Sequence, residues 1–352
     1  MHVLVTGNMG YVGPHVIRRL RAAFPGARLT GLDAGYFAHC RTAPATTETL
    51  PHHQHLADLR DLDAAIFEGV DAVVHLAAIS NDPMGNRFEE VTRAINHDAG
   101  VRLATLARAA GVRRFVFASS CSMYGAAQDG ERTEDSPLQP LTPYARSKVS
   151  LEQALERLAG PGFVVTALRF ATACGWSDRL RLDLVLNDFV AAAVTAGRIT
   201  ILSDGTPWRP LIALPDMARA IEWALGRDPG AGAFLAVNAG RDDWNFQVRD
   251  LAHAAARGVP GATVEIAAGA QPDRRSYRVS FARFRALAPA HQPEASLPEV
   301  IAELAAGVRG MELPAADFRR SRWMRLHALE ELRERGMLSD DLRWTRAAVA
   351  GV

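Results

Sequence analysis

Short apolar runs recur through the first half of the chain, each followed by a stretch in which apolar positions return every three or four residues. Runs at 2–6, 28–33, 72–76, 114–119 and 163–169 are apolar on both alternate sets of positions, as in strands covered on both faces. Between them, 12–24, 61–67, 88–110 and 144–159 carry helical spacing. Strands and helices alternating in this way predict an α/β fold, a Rossmann-like doubly wound parallel sheet. After about residue 170 the pattern loosens: a helix at 180–197, a short strand at 199–202, a helix at 216–225 and a strand at 232–238. From Trp244 onward the chain reads as mainly helical, with proline breaks over 289–298. Residues 318–335 form an arginine-rich amphipathic pattern with Trp323, Leu326, Leu329 and Leu332 near one stripe. The expected division is a sheet domain over 1–170 with a return segment near 210–240. A smaller, mainly helical lobe is expected from 171–209 and 241–352, covering the strand ends.

Composition removes several classes of function. With 40 basic and 39 acidic residues the formal charge is +1, so no basic field calls for nucleic acid or an anionic membrane surface. No apolar run reaches the roughly 18–20 residues needed to span a bilayer. A strand-like run begins at His2, leaving no room for a secretory leader, and cytoplasmic location is the expectation. Cys40, Cys121 and Cys174 are too few and too scattered for a disulfide scaffold or a zinc site. One count carries more: Lys148 is the only lysine, and every other basic side chain among the 40 is arginine. A position that keeps lysine in such a chain asks for something a wide, planar guanidinium cannot supply. The plain alternative is chance.

The first strand runs into Thr6-Gly7-Asn8-Met9-Gly10-Tyr11-Val12-Gly13, and a helical pattern follows. Glycines at this spacing permit a tight turn and a close approach of backbone to a pyrophosphate, which then meets the helix N-terminus. Asp33 closes the second strand twenty residues after Gly13. A carboxylate there accepts hydrogen bonds from ribose hydroxyls and repels a 2′-phosphate, and no arginine stands among Ala34, Gly35 and Tyr36. The cofactor expected is NAD rather than NADP, which makes 1–170 the NAD-binding domain and the smaller lobe the substrate-binding one.

Tyr144 and Lys148 stand four apart at the start of a predicted helix, after Pro143, and so share a helical face. A neighbouring ammonium is expected to lower the phenol pKa from about 10 and make a usable general base. With 5 tyrosines in 352 positions, a lone lysine falls four after one by chance about once in 70. At the carboxyl end of the fourth predicted run stand Ser119, Ser120 and Ser122, where hydroxyls of such a sheet face the ligand crevice.

With these motifs in hand, the chain resembles the extended short-chain dehydrogenase/reductases, specifically the NAD-dependent nucleotide-sugar epimerases and dehydratases, over nearly its whole length. The resemblance implies that Gly7, Gly10 and Gly13, with Met9, Tyr11 and Val12 between them, form the cofactor turn. Asp58 and Leu59 look like the family's adenine-contacting pair, and His75-Leu76-Ala77-Ala78 its H-x-A-A segment on the nicotinamide side. Asn96 belongs to the same implied cofactor set. Ser120, Tyr144 and Lys148 match the catalytic group, with Tyr144 and Lys148 also touching cofactor. Ser120 and Ser122 face substrate; Asn187 and Arg209 look like holders of the substrate pyrophosphate, and Arg275 resembles a second phosphate-binding arginine. The family's usual assembly, a two-fold four-helix interface, maps onto 88–110 and 144–159 and implies a homodimer.

Departures from the family pattern narrow the chemistry. Its 4,6-dehydratases place Asp-Glu directly after the catalytic Ser/Thr, where this chain has Cys121-Ser122. Decarboxylating members carry Glu at position 122, and 3,5-epimerising members carry Cys there. The Ser-x-Ser arrangement is most similar to 4-epimerases, although Thr172 replaces their usual Asn and 213–216 departs from the I/V-H-V-x-D pattern. The leading expectation is therefore C4 epimerisation of a nucleotide-linked sugar through a transient 4-keto intermediate. The alternatives are an NAD(H)-dependent ketoreductase of a nucleotide-linked keto sugar and a non-catalytic NAD-binding protein. His52, His53 and His55 read as edge or solvent-facing residues, and no metal is expected. The arginines of 319–325 read as a solvated face, with phosphate binding the lesser alternative.

Overall fold

The computed structural model describes residues 1–44, 49–271, 273, 275–311, 313 and 318–345. Strands β1 (His2–Thr6), β2 (Arg28–Asp33), β3 (His53–Leu56), β4 (Ala72–His75) and β5 (Arg114–Ser120) are joined by α1 (Gly13–Ala23) after β1 and by α2 (Asp82–Arg87), α3 (Glu89–Arg93) and α4 (Ala99–Ala109) after β4. Next come β6 (Ala126–Arg132), α5 (Pro143–Leu158), β7 (Val164–Phe170), β8 (Thr172–Cys174), α6 (Val185–Ala196), β9 (Arg198–Ile201), β10 (Trp208–Ala213), α7 (Leu214–Gly226) and β11 (Phe234–Ala239). The rest is β12 (Asn245–Gln247), α8 (Val248–Gly258), β13 (Thr263–Ile266), β14 (Ser276–Val279), α9 (Ala282–Leu287), α10 (Leu297–Arg309) and α11 (Arg325–Glu334).

Seven strands form one parallel sheet in the order β3-β2-β1-β4-β5-β7-β11. This is the expected doubly wound fold, and its cause is visible in the strand pattern. Val3 and Val5 enter one apolar cluster with Val16, Ile17 and Leu20 of α1 and Ile221 of α7. Leu4, between them, enters the other, with Leu103 of α4 and Leu151 and Leu155 of α5. Alternate positions thus serve opposite faces, and each fully buried aliphatic side chain is worth about 1.5–3 kcal/mol. Chain direction across the sheet reverses between β1 and β4, opening a crevice at their carboxyl ends.

Other elements differ from the sequence reading in instructive ways. The helix expected at 61–67 is two 3₁₀ turns, Leu59–Asp61 and Ala64–Phe67, capped by the carboxylates of Asp58 and Asp63. The long helix expected at 88–110 runs from Glu89 to Ala109 but winds as a π-turn over Ala94–Asp98. The helix expected from 180 starts at Val185, because Arg181 and Asp183 engage each other and the Leu182 amide bonds the Trp323 carbonyl, 2.9 Å. Strands β6, β8, β10, β12, β13 and β14, which periodicity did not reveal, form three small sheets together with β9.

The carboxyl-terminal segment packs on the lobe through Phe318 and Trp323 and then reaches the sheet domain. Tyr36 Oη donates to the Leu342 carbonyl (2.5 Å), Trp344 Nε1 to the Ala34 carbonyl (2.5 Å) and Arg60 to the Asp341 carbonyl (2.7 Å). Leu329, Leu332, Leu338 and Leu342 form a cluster with Tyr36, Ile79, Met84 and Phe88. The segment therefore straps the loops that follow β2 and β4. His53 and His55 lie exposed on edge strand β3. Among the described residues no helix is long and apolar enough to cross a membrane.

Candidate active site

A cavity of about 880 Å³ follows the carboxyl ends of the central strands. The glycine turn forms its floor. Gly7 holds φ +73°, and a Cβ there would come within 2.5 Å of the Ala77 amide nitrogen, so only glycine lets β1 and β4 close at this point. Gly10, Tyr11 and Val12 line the cavity beside it. Helix α1 begins at Gly13 with no side-chain cap and no acid in its first turn, leaving its amides and positive dipole end to an anion. Gly13 itself lies behind the turn, pressed against the backbone of Asn8.

Asp33 ends β2 on the cavity wall. Its Oδ1 accepts from the Gly35 amide (2.8 Å) and Oδ2 from the Met9 amide (2.9 Å). Burial pushes this carboxyl up and the two amides oppose that, so the turn and the acid hold each other in place. Met9 acts through that amide and does not line the cavity. Asp58 and Leu59 do line it, with the Asp58 carboxylate forked by the Arg60 guanidinium at 2.5 Å. Leu76, Ala77 and Ala78 supply the wall after β4.

Two expected ligand residues stand elsewhere. Asn96 is buried: its Oδ1 accepts from the Ile79 amide (2.8 Å), and its Nδ2 donates to the Ile79 carbonyl (3.0 Å) and Ser147 Oγ (3.0 Å). It ties the loop after β4 to α5 from outside the cavity. Asn187 is fully buried, accepting from the Gly175 amide (3.1 Å) and donating to Tyr11 Oη (2.9 Å) and the Arg181 carbonyl (2.9 Å). Both its amide oxygen and its amide nitrogen are engaged inside the protein, so the structure does not bring it to a ligand as the resemblance implied.

Helix α5 is started by Thr142, whose Oγ1 accepts from the Ala145 amide (3.2 Å) and donates to Asp82 (2.7 Å), with Pro143 preset in the first turn. Tyr144 and Lys148, one turn apart, face the cavity across from Ser120 and Ser122. The Ser120 Oγ donates to Ser122 Oγ, 2.9 Å. Farther along, Glu152 fixes α5 against the sheet. Its carboxylate pairs with Arg169 on β7 (2.5 Å) and accepts from Ser119 Oγ on β5 (2.8 Å). Arg169 in turn donates to Tyr124 Oη, 3.0 Å. The residue next to Ser120 and the residue one turn after Lys148 are thereby joined, which sets the distance between serine and tyrosine.

The electrostatics correct one expectation. Lys148 is buried, donates to the Ala118 carbonyl (2.7 Å) and lies 4.7 Å from the Phe117 ring centre; burial lowers its pKa from 10.5 to about 7. Burial likewise raises the Tyr144 phenol to about 12, with the Ser120 hydroxyl and the Arg181 cation partly offsetting it and Asp82 adding to it. The lysine does not by itself depress the phenol here, because both groups sit in a dry cleft that penalises either charge.

At the far end Arg209 pairs with Asp273 (2.8 Å), and Arg275 with Asp273 (2.7 Å) and Asp82 (2.6 Å). Four further groups line the cavity: Asp82 and Arg181, which sequence reasoning passed over, and Arg319 and Arg325, which it read as part of a solvated face with phosphate binding the lesser alternative. In a chain whose surface is all arginine, residue type gave no signal for these three cations. Arg319 is exposed, as expected of a solvated face, and pairs with Asp188 at 2.7 Å, whereas Arg325 is buried.

A glycine turn at a helix start, a carboxylate at the end of β2 and a tyrosine–lysine pair opposite a serine define a dinucleotide-dependent enzyme of the short-chain dehydrogenase/reductase type. The profile of the NAD dependent epimerase/dehydratase family matches residues 3–240, and the chain belongs to that family. It is 30% identical over 240 residues to an uncharacterized UDP-glucose epimerase, YtcB, of Bacillus subtilis, which covers 64% of this chain and 73% of the relative. It is 29% identical over 289 residues to a dTDP-glucose 4,6-dehydratase of Streptomyces griseus, covering 81% and 87%. Among solved structures, MoeE5 in complex with UDP-glucuronic acid and NAD superposes with a TM-score of 0.74 at 26% identity, over 88% of this chain and 99% of that one. The family is NAD-dependent, and the open turn, the uncapped α1 and Asp33 fit that cofactor.

Proposed function

We propose that the protein is an epimerase of a nucleotide-linked sugar, acting at C4 through a transient 4-keto sugar. The observation that carries this reading is the set Ser120, Ser122, Tyr144 and Lys148 gathered in one cavity with the glycine turn, without an acid at 121 or 122 to expel a hydroxyl. When bound, NAD supplies the acceptor and then the donor of a hydride. Tyr144 Oη takes the proton of the C4 hydroxyl and later returns one. Ser120 Oγ, oriented by Ser122, holds that hydroxyl oxygen as it becomes a carbonyl oxygen. Lys148 Nζ, already in the cleft, provides the positive charge that makes the phenolate affordable on protein binding its ligands. Arg209 and Arg275 hold the nucleotide diphosphate, and Ser119, Glu152 and Arg169 keep α5 in register.

The test is a panel of UDP-, GDP-, CDP- and dTDP-sugars incubated without added reductant and followed by NMR. The expected result is one interconverted pair at constant cofactor redox state. Stoichiometric NADH consumption would replace this reading with the ketoreductase, and a product that has lost water would replace it with a dehydratase. Interconversion abolished by Tyr144→Phe with the fold intact would tie the chemistry to this site.

A further inference from the structure

Arg325 is the first residue of α11, outside the stretch that the family profile covers. Its amide bonds Asp183 (3.3 Å), and its side chain enters the cavity wall over the Phe37 ring, 4.3 Å from guanidinium carbon to ring centre. The residue is 2% exposed. Nη2 donates to the Arg179 carbonyl, 2.7 Å, but Nη1 has no hydrogen-bond partner. Among the described residues no carboxylate forms an ion pair with it, whereas Arg181 on the same wall is forked by Asp183 at 2.7 Å. Burial lowers its pKa only to about 10, with Arg179 and Arg181 adding to the fall and Cys40 and Asp183 opposing it, so it is a cation at neutral pH. A buried cation without a counter-ion is costly unless something else supplies the anion. Gly10, Tyr11 and Val12 of the turn, Asp33 and Phe37 line the same cavity. Asp33 lies within the field of Arg325. Asp33 in turn accepts from the Met9 amide of the turn that leads into the uncapped, acid-free start of α1.

We infer that Arg325 is a ligand of the cofactor's diphosphate, reaching it from the carboxyl-terminal strap across the cleft from the glycine turn. The inference rests on the NAD reading and adds a second anchor to it. The turn supplies neutral amides and a helix dipole to one side of the diphosphate; Arg325 supplies the full positive charge on the other. The backbone amide of Arg325 is anchored through Asp183 to Asn81 (2.6 Å) in the loop after β4, so the strap and the nicotinamide-side loop are fixed together. A 2′-phosphate would offer the same chemistry, but Asp33 occupies the ribose side and repels it.

The experiment titrates nucleotide-free wild type, Arg325→Met and Arg325→Lys with NAD, NADP, ADP and adenosine by calorimetry, and records each apo melting temperature. Arg325→Met is expected to weaken NAD and ADP alike by about ten- to a hundredfold, the loss expected of a charge-assisted hydrogen bond. Adenosine binding should be unchanged, and Arg325→Lys should recover part of the loss. Because the buried charge is unpaired without ligand, its removal should offset the loss of the Arg179 carbonyl's donor, and the methionine variant's apo melting temperature should stay close to that of wild type. NAD affinity within about twofold of wild type, or a loss confined to NADP, would overturn the assignment. A lowered apo melting temperature that Arg325→Lys does not restore would make Arg325 a structural staple and overturn it as well. Wild type that binds none of the four would instead remove the NAD reading, and this inference with it.

Discussion

Lys148→Met should make the folded protein less sensitive to pH, and the size of the effect follows from the lysine's surroundings. Burial takes the Lys148 pKa from 10.5 to about 7. Between those values the unfolded chain holds a proton there that the folded protein does not, so stability rises with pH across the window and is lost as pH falls towards 7. At about 1.4 kcal/mol per unit, wild type carries a penalty of about 4 kcal/mol at pH 7 and about 2 kcal/mol at pH 9, relative to a lysine neutral in both states. Methionine is similar in length and has no proton to bind. It leaves the Ala118 carbonyl without its 2.7 Å donor, which costs about 1–3 kcal/mol at every pH. The sign of the difference at a single pH is therefore not diagnostic, but its slope is: the advantage of the variant over wild type should shrink by about 2 kcal/mol between pH 7 and 9. Other titrating groups are common to both proteins and cancel. Urea denaturation of ligand-free protein at the two pH values measures this directly. A difference that stays constant within about 0.5 kcal/mol would show that Lys148 keeps an ordinary pKa, and the account of a dry cleft would fail.

Other perturbations probe neighbouring groups. Lys148→Arg should lose nearly as much turnover as Lys148→Ala, about 10²–10⁴-fold, since a planar guanidinium does not fit between Phe117 and the Ala118 carbonyl; pH–rate profiles of both variants, with circular dichroism for folding, check this. Asp33→Ala should weaken NAD binding and narrow the gap to NADP in a titration; wild type preferring NADP would contradict the ribose argument. The chain should sediment as a dimer at micromolar concentration through the outer faces of α4 and α5, and a monomer throughout that range would refute the assembly.

The parallel sheet was legible because its strands are buried on both faces and its helices bury one stripe, two periods that differ by nearly a factor of two. Gly7, Asp33, Tyr144 and Lys148 were legible because each sits at a strand end or helix start where the chemistry restricts residue type. What escaped notice escaped for physical reasons. Strands β8 and β12 have three residues each, too few to establish an alternation. The interruption of the 88–110 helix comes from the π-turn around Asn96, a device that satisfies Ile79 from the middle of a helix and leaves no mark on the apolar spacing. Asn187 was misplaced because an asparagine on a buried helix serves the protein's own carbonyls and hydroxyls as readily as a phosphate. Arg325 was read with the other arginines of 319–325 as a solvated face, with phosphate binding the lesser alternative. Its distinction lies in the path of the strap, which is fixed by Tyr36 and Trp344 bonding across more than 300 positions of sequence, Tyr36 to Leu342 and Trp344 to Ala34.

The two ends of the cavity balance their charges differently, and on the proposed reading that difference separates a retained cofactor from an exchanging substrate. Arg209 and Arg275 already have counter-ions in Asp273 and Asp82, so a substrate diphosphate gains them only by competing with carboxylates at 2.6–2.8 Å. Part of its Coulomb attraction is cancelled before it arrives, which keeps affinity moderate and release quick. At the other end the α1 amides are uncapped and Arg325 Nη1 has no partner, so a diphosphate there displaces nothing. The strap that carries Arg325 is held by buried contacts to Tyr36 and Ile79. An epimerase needs this asymmetry: the hydride taken from one face of the sugar must be given back before the cofactor leaves, whereas the sugar must come and go at every turnover.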